Sequence, residues 1–225
     1  MAWAGTTTKI DNFDYPIELS TTPQTTFGWT IKDTSAAGAP TYLGTADDGG
    51  SVKMTMAAND EAEILTLYNN DVLNFDVAKI KNVWWVAKVA AVDAVTDCFF
   101  GVAAAYAADP DDIVTNAWFK IDGSVSTSAL VVETDDASND LDDEATGTTL
   151  AATYKRLLID FSQGLSDVRF YVDGARVASA TTFDMSDLTS GLNVQPYVQI
   201  MKASGTGVGA VQLAQFGITY TWSYG

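Results

Sequence analysis

The clearest pattern along the chain runs from Tyr154 to Ala180, where apolar and polar positions alternate with the period of an extended strand. Leu157, Ile159 and Phe161 fall on one face, with Arg156, Leu158 and Asp160 on the other. Phe170 and Val172 alternate with Arg169 and Tyr171 in a second strand, and a third follows across Asp173-Gly174. Asp-Gly suits a type I′ turn, because both central residues of that turn need positive φ and this pair tolerates it at little steric cost. The segment therefore predicts a β-hairpin that continues a preceding strand.

Shorter stretches repeat the signal. Val52, Met54 and Met56 alternate with Lys53 and Thr55, and Ile64, Leu65 and Leu67 follow a polar break at Asn59-Asp60-Glu61. Between Lys79 and Val92, Val83, Trp85, Ala87 and Val89 oppose Trp84, Val86 and Lys88, apolar on both faces as in a central strand covered on two sides. The pattern continues through Cys98–Ala107, and Asn116–Ile121 passes through Asp122-Gly123 into Ser124–Glu133 as a second Asp-Gly hairpin. Asn193–Ala203 precedes the flexible turn Gly205–Gly209, after which Phe216, Ile218, Tyr220, Trp222 and Tyr224 share one face of a long final strand. Many strands with turn signals between them and no helical period predict an all-β sandwich or barrel. Residues 1–30 predict an arm or loops around one short strand at Phe27–Ile31, and residues 31–225 a single sandwich domain.

Composition narrows the chemistry. The chain has 225 residues, 47% of them hydrophobic, enough for a packed core. Its net charge of −17 repels phosphate backbones and anionic lipid, so neither nucleic acid nor membrane is an expected partner. There is no histidine, which removes Ser-His-Asp, Cys-His and histidine-zinc chemistry. Cys98 lies in an apolar run and predicts a buried, inert thiol. The opening Met1–Thr6 lacks a basic region followed by an apolar run, so the expectation is synthesis in a cytoplasm without a signal peptide.

Two sets of residues invite a functional reading. The acidic stretch from Glu133 to Glu144 offers Asp135, Asp136, Asp140, Asp142 and Asp143 as oxygen ligands for calcium, although the spacing is not that of an EF-hand and a solvated loop is the simpler expectation. No other cofactor is expected. Aromatic and apolar side chains near the two ends, Trp3, Ile10, Phe13, Tyr15, Trp222 and Tyr224, are candidates for contact with a partner chain. No catalytic constellation stands out, and the chain is not expected to be an enzyme.

The run Tyr154–Phe161 followed by Asp167–Ala178, with its "YVDG" hairpin, resembles the concanavalin A-like jelly-roll sandwiches of the laminin-G and pentraxin-like group. The resemblance implies an antiparallel jelly-roll sandwich. Laminarinase-type members carry a Glu-x-Asp-x-x-Glu strand; Glu133-Thr-Asp135 lacks the closing Glu, since position 138 is Ser, and hydrolase activity does not carry over. The acidic, histidine-free, Thr/Ala/Gly-rich texture also resembles structural proteins of tailed-phage virions, including capsid decoration (cement) proteins. That resemblance implies a virion location on the capsid surface, binding to the major capsid protein and a homo-oligomer, a trimer favoured. The alternative is a carbohydrate-binding, lectin-like module, for which a glycan is the partner and a sheet face lined by aromatics the site.

Overall fold

The computed structural model describes residues 3–13, 19, 21, 28–46, 50–72, 75–188 and 192–224, without the side chains of Trp3, Ser223 and Tyr224. The strands, in chain order, are β1 Trp3–Asp11, β2 Thr30–Asp33, β3 Thr41–Thr45, β4 Ser51–Thr55, β5 Glu63–Tyr68, β6 Phe75–Asp76, β7 Ile80–Ala91 and β8 Thr96–Ala103. They continue with β9 Asn116–Asp122, β10 Ala129–Asp135, β11 Asp140–Thr149, β12 Lys155–Asp160, β13 Arg169–Val172, β14 Ala175–Val177, β15 Asn193–Lys202 and β16 Ala210–Tyr224. They form two antiparallel sheets, a jelly-roll sandwich. The β7 sheet runs β14-β13-β12-β7-β16-β4-β3 with β1 beside β16, and the β8 sheet runs β11-β10-β9-β8-β15-β5-β2 with β6 beside β15.

Alternation decides what is buried between the sheets. Val83, Trp85, Leu157, Ile159, Phe170, Leu213 and Ile218 face inward from the β7 sheet against Leu65, Leu67, Phe100, Phe119, Val198 and Ile200 of the β8 sheet. The indole Nε1 of Trp85 donates to the Gly101 carbonyl across the interior at 3.1 Å, so the largest core side chain leaves no orphaned donor. Cys98 is fully buried, and burial pushes its thiol pKa up. The hairpin read from Tyr154 to Ala180 is β12-β13-β14, and Asp173 and Gly174 adopt φ of 50° and 84°, the two positive values a type I′ turn requires.

Three expectations are corrected. The opening is not only loops: Trp3–Asp11 is a strand, paired residue for residue with Phe216–Tyr224. Thr-rich sequence disguised it, because threonine suits strands as well as turns. The acidic stretch is not a free loop but the facing ends of β10 and β11 joined at 136–139. Asp122-Gly123 opens a six-residue connection rather than a two-residue turn. There Asp122 Oδ1 accepts from the Ser124 N–H and hydroxyl at 2.8 and 2.7 Å, and a Cβ on Gly123 would stand 2.3 Å from the Thr96 carbonyl. This glycine is needed for close approach, not for positive φ.

Candidate functional site

The outer face of the β8 sheet carries a second, smaller core. Trp118 stacks on Tyr197 and meets Phe99 edge-on there, and the connection from β8 to β9 folds over them with Tyr106, Ala107 and Ile113. Two glutamines beneath this roof are paired: Gln199 Oε1 accepts from Thr66 Oγ1 at 2.8 Å and from the Tyr197 hydroxyl, while Gln195 Nε2 donates to Asp71 at 2.7 Å. At its margin Glu133 of β10, 3% exposed, receives Lys120 Nζ at 2.7 Å and the Trp118 indole N–H. Asp143 of β11 reaches the same ammonium at 3.0 Å, from a bulge where its φ is 52°. Burial pushes the Glu133 carboxyl up to about 7, against the opposing pull of Lys120 and Trp118. Burial also works against the ammonium, but Glu133 and Asp143 outweigh it and hold Lys120 above the usual lysine range.

The proposed calcium ligands are not gathered around one point. Asp135 and Asp140 pair across the hairpin, while Asp136 turns inward, accepting from Ser138 N, Asn139 N and Asp187 N at 3.0, 2.6 and 3.0 Å. Asp143 is committed to Lys120, and burial with the neighbouring Asp140 raises Asp142. Among the described residues no three Asp, Glu or Cys side chains are placed to share a metal.

Of the terminal candidates, Phe13 is 2% exposed and packs on Trp29 with ring centroids 5.6 Å apart, so it serves the chain's own core. Ile10 is 55% exposed on β1. Trp222 donates its Nε1 to Thr7 Oγ1 at 2.9 Å, lies against Gly5, and borders a cleft of about 220 Å³ with Phe75 and Tyr220. Tyr15 lies outside the described residues, as do the side chains of Trp3 and Tyr224.

An open groove of about 330 Å³ crosses the outer face of the β7 sheet, lined by Asn82, Arg156, Leu158, Asp160, Ser162 and Tyr171. Strand alternation puts all of these but Ser162 there, since Val83, Leu157, Ile159, Phe170 and Val172 take the opposite face; Ser162 follows in the turn after β12. At one end Asp160 Oδ1 accepts from the Ser162 N–H at 2.9 Å. At the other, the Arg156 guanidinium lies over the Trp84 ring, 4.6 Å from its centroid. Trp84 can lie flat because its cross-strand neighbour is Gly217, where a Cβ would come within 2.0 Å of the indole. Its Nε1 donates to Gln215 Oε1 at 2.7 Å. The sequence placed Arg156, Leu158, Asp160 and Tyr171 opposite the apolar positions of their strands but did not single them out. The available signal was that one strand face combined cationic, anionic and aromatic side chains.

No protein-family model matches the chain, nor does any curated protein. Solved structures share the architecture. The Emp47p carbohydrate recognition domain matches with a TM-score of 0.57 at 10% identity, over 94% of this chain and 96% of that one. The GH16 protein of the Bacteroides ovatus mixed linkage glucan PUL, solved with its G4G4G3G product, matches with a TM-score of 0.56 at 12% identity, over 93% of this chain and 99% of that one. Alginate lyase AlgAT5, from polysaccharide lyase family 7, matches with a TM-score of 0.50 at 14% identity, over 81% and 82% of the two chains. At such identities the likeness shows the fold alone. It bears out the antiparallel jelly-roll sandwich and overturns the expectation that the chain is not an enzyme, because this fold houses a glycoside hydrolase and a lyase as well as a recognition domain.

Proposed function

We propose that the chain is a carbohydrate-binding module and that the groove on the β7 sheet holds the sugar. The observation that carries this reading is the groove's mixture: one tyrosine ring beside an amide, a carboxylate and a guanidinium fixed on strands, with a hydroxyl from the turn after β12, all open to solvent. Sugars present apolar C–H faces and a rim of hydroxyls, and a ring with convergent donors and acceptors matches both. The carbohydrate-related neighbours favour this reading over capsid decoration. Binding to a glycan array, followed by titration of the strongest hit, tests it. Tyr171→Ala and Asn82→Ala are each expected to weaken binding at least about tenfold with an unchanged melting temperature, about 1.4 kcal/mol. Retained affinity in both variants would remove the groove from consideration.

A catalytic reading has one specific observation in its favour, the Glu133 carboxyl that burial brings near neutrality beside Trp118 and Lys120. Release of reducing ends from bound glycans, abolished in Glu133→Gln, is its test. A virion location is a separate proposal that rests on the sequence resemblance; co-sedimentation with capsid shells stripped of accessory proteins addresses it independently of the groove.

A further inference from the structure

Charge is distributed unevenly over the sandwich. Strands β7, β12, β13 and β14 carry six of the chain's 12 cations, Lys81, Lys88, Lys155, Arg156, Arg169 and Arg176, and one of its 29 carboxylates, Asp160. Strands β9, β10 and β11 of the other sheet carry Lys120 and seven carboxylates. The groove therefore lies in the cationic quarter of a strongly acidic molecule.

The cations around it are not equivalent. Arg169 and Arg176 share Asp167, the first through an Nε contact of 3.0 Å and the second at 3.8 Å. Lys155 stands 3.6 Å from Asp173. Arg156 has no carboxylate within ion-pair distance among the described residues, although it lines the groove. It is nevertheless held. Its backbone N–H donates to Asp173 Oδ1 at 2.8 Å, its carbonyl accepts from the Asp173 N–H at 2.9 Å, and its guanidinium rests on Trp84. Trp84 is braced through Gln215, whose Nε2 donates to Asn12 Oδ1 at 2.8 Å. A guanidinium fixed over an aromatic ring with its planar donors unspent is suited to two parallel hydrogen bonds with a carboxylate. Asp160 lies four residues further along β12, about 13 Å away at ~3.3 Å per residue, and can only accept hydrogen bonds while ionised.

We infer that the groove recognises an acidic glycan, with a sugar carboxylate on Arg156 and a neutral, hydroxyl-bearing sugar at the Asp160 end. This rests on the carbohydrate-binding reading and adds the charge of the ligand and its direction in the groove. A polymer charged at every residue fits poorly, because one carboxylate would face Asp160.

The test uses matched pairs of oligosaccharides, each carboxylated form beside its carboxyl-reduced counterpart, drawn from sialylated chains and from chains alternating uronate with neutral sugar. Affinities are measured by calorimetry on the full chain at two salt concentrations. The tightest ligands are expected to be carboxylated, to lose at least about tenfold on reduction, and to weaken with added salt as a charge-assisted contact must. Arg156→Gln is expected to bind the two forms alike. Arg156→Lys keeps the charge without the fork and should retain only part of the preference. Trp84→Leu, which removes the platform, should lower the same ratio while binding of the reduced form is preserved. Neutral glycans bound as well as acidic ones, or a preference that survives Arg156→Gln, would overturn the inference and leave the carbohydrate-binding reading intact. Absence of binding across both halves of the panel would overturn both.

Discussion

Replacing Lys202 by methionine lowers the melting temperature by roughly 6–20 °C, from a cost of about 3–5 kcal/mol and a shift of about 2–4 °C per kcal/mol in a domain of this size. Lys202 lies near the end of β15 with its side chain wholly buried. Its ammonium donates to the carbonyls of Ala57 and Asn59, both at 2.7 Å, and of Gly207 at 3.3 Å, and stands 3.5 Å from the equally buried Glu63 carboxylate. One side chain thus ties together the connections that follow β4 and β15. Methionine fills much of the volume but strands a carboxylate and orphans carbonyls, and a buried charge without its partner is far costlier than the pair was favourable. Differential scanning calorimetry of the variant checks this; a shift under 2 °C would mean that the loops open and water reaches Glu63. The double variant with Glu63→Gln should recover part of the loss, since Ala57 N–H can still donate to the amide oxygen where it now meets the carboxylate at 2.9 Å. No recovery would assign the whole cost to the orphaned carbonyls.

Lys202 also marks where legibility ended. The strands β12, β13 and the second half of β16 were readable because each buries one face, so a period of two is imposed on the sequence by the core itself, and β7 by its long apolar run. The Asp173-Gly174 turn was readable because its conformation demands those residues. Trp3–Asp11 was not, because β1 lies mostly at the sheet's rim and its Thr-rich run has little apolar contrast. Nor was the second core over the β8 sheet: Phe99, Trp118 and Tyr197 alternate on strands whose opposite faces also bury apolar side chains, so no polar face announced an outside. The groove was half legible. Arg156, Asp160 and Tyr171 were placed opposite the apolar positions of their strands, but that Arg156 stacks on Trp84 depends on Gly217 from a strand distant in sequence, a pairing that no local pattern encodes. The acidic stretch misled because its density of carboxylates suggested a solvated or ligand-rich loop, whereas pairing into β10 and β11 sends alternate carboxylates to different surroundings.

Those surroundings set the pH dependence of stability. Desolvation raises Asp97, Asp111, Asp135 and Asp142 and takes Glu133 to about 7. A carboxyl whose folded pKa is raised contributes stability that is fully present below its unfolded value and is lost as pH rises through the folded value. For Glu133 that window runs from about 4.5 to about 7, and its full loss amounts to about 3 kcal/mol. Asp122 and Asp136 have the opposite sign: hydrogen bonds, from the Ser124 hydroxyl and then backbone N–H groups for Asp122 and from Asn139 and neighbouring N–H groups for Asp136, overcome their partial burial and lower their pKa values, so their contribution is present at neutral pH and is lost on acidification below about 4. Stability should therefore peak between about pH 4 and 5 and fall toward pH 8, a trend that the net charge of −17 reinforces through self-repulsion as the remaining carboxylates ionise. Urea unfolding at several pH values from 5 to 8 measures the slope. Glu133→Gln removes the buried titration while Lys120 keeps Asp143 at 3.0 Å, so the variant should gain on the parent as pH rises and show a visibly shallower profile. A variant profile parallel to the parent's would place Glu133 as a permanently ionised partner of Lys120, and with it would go the one observation that favours catalysis on the β8 sheet.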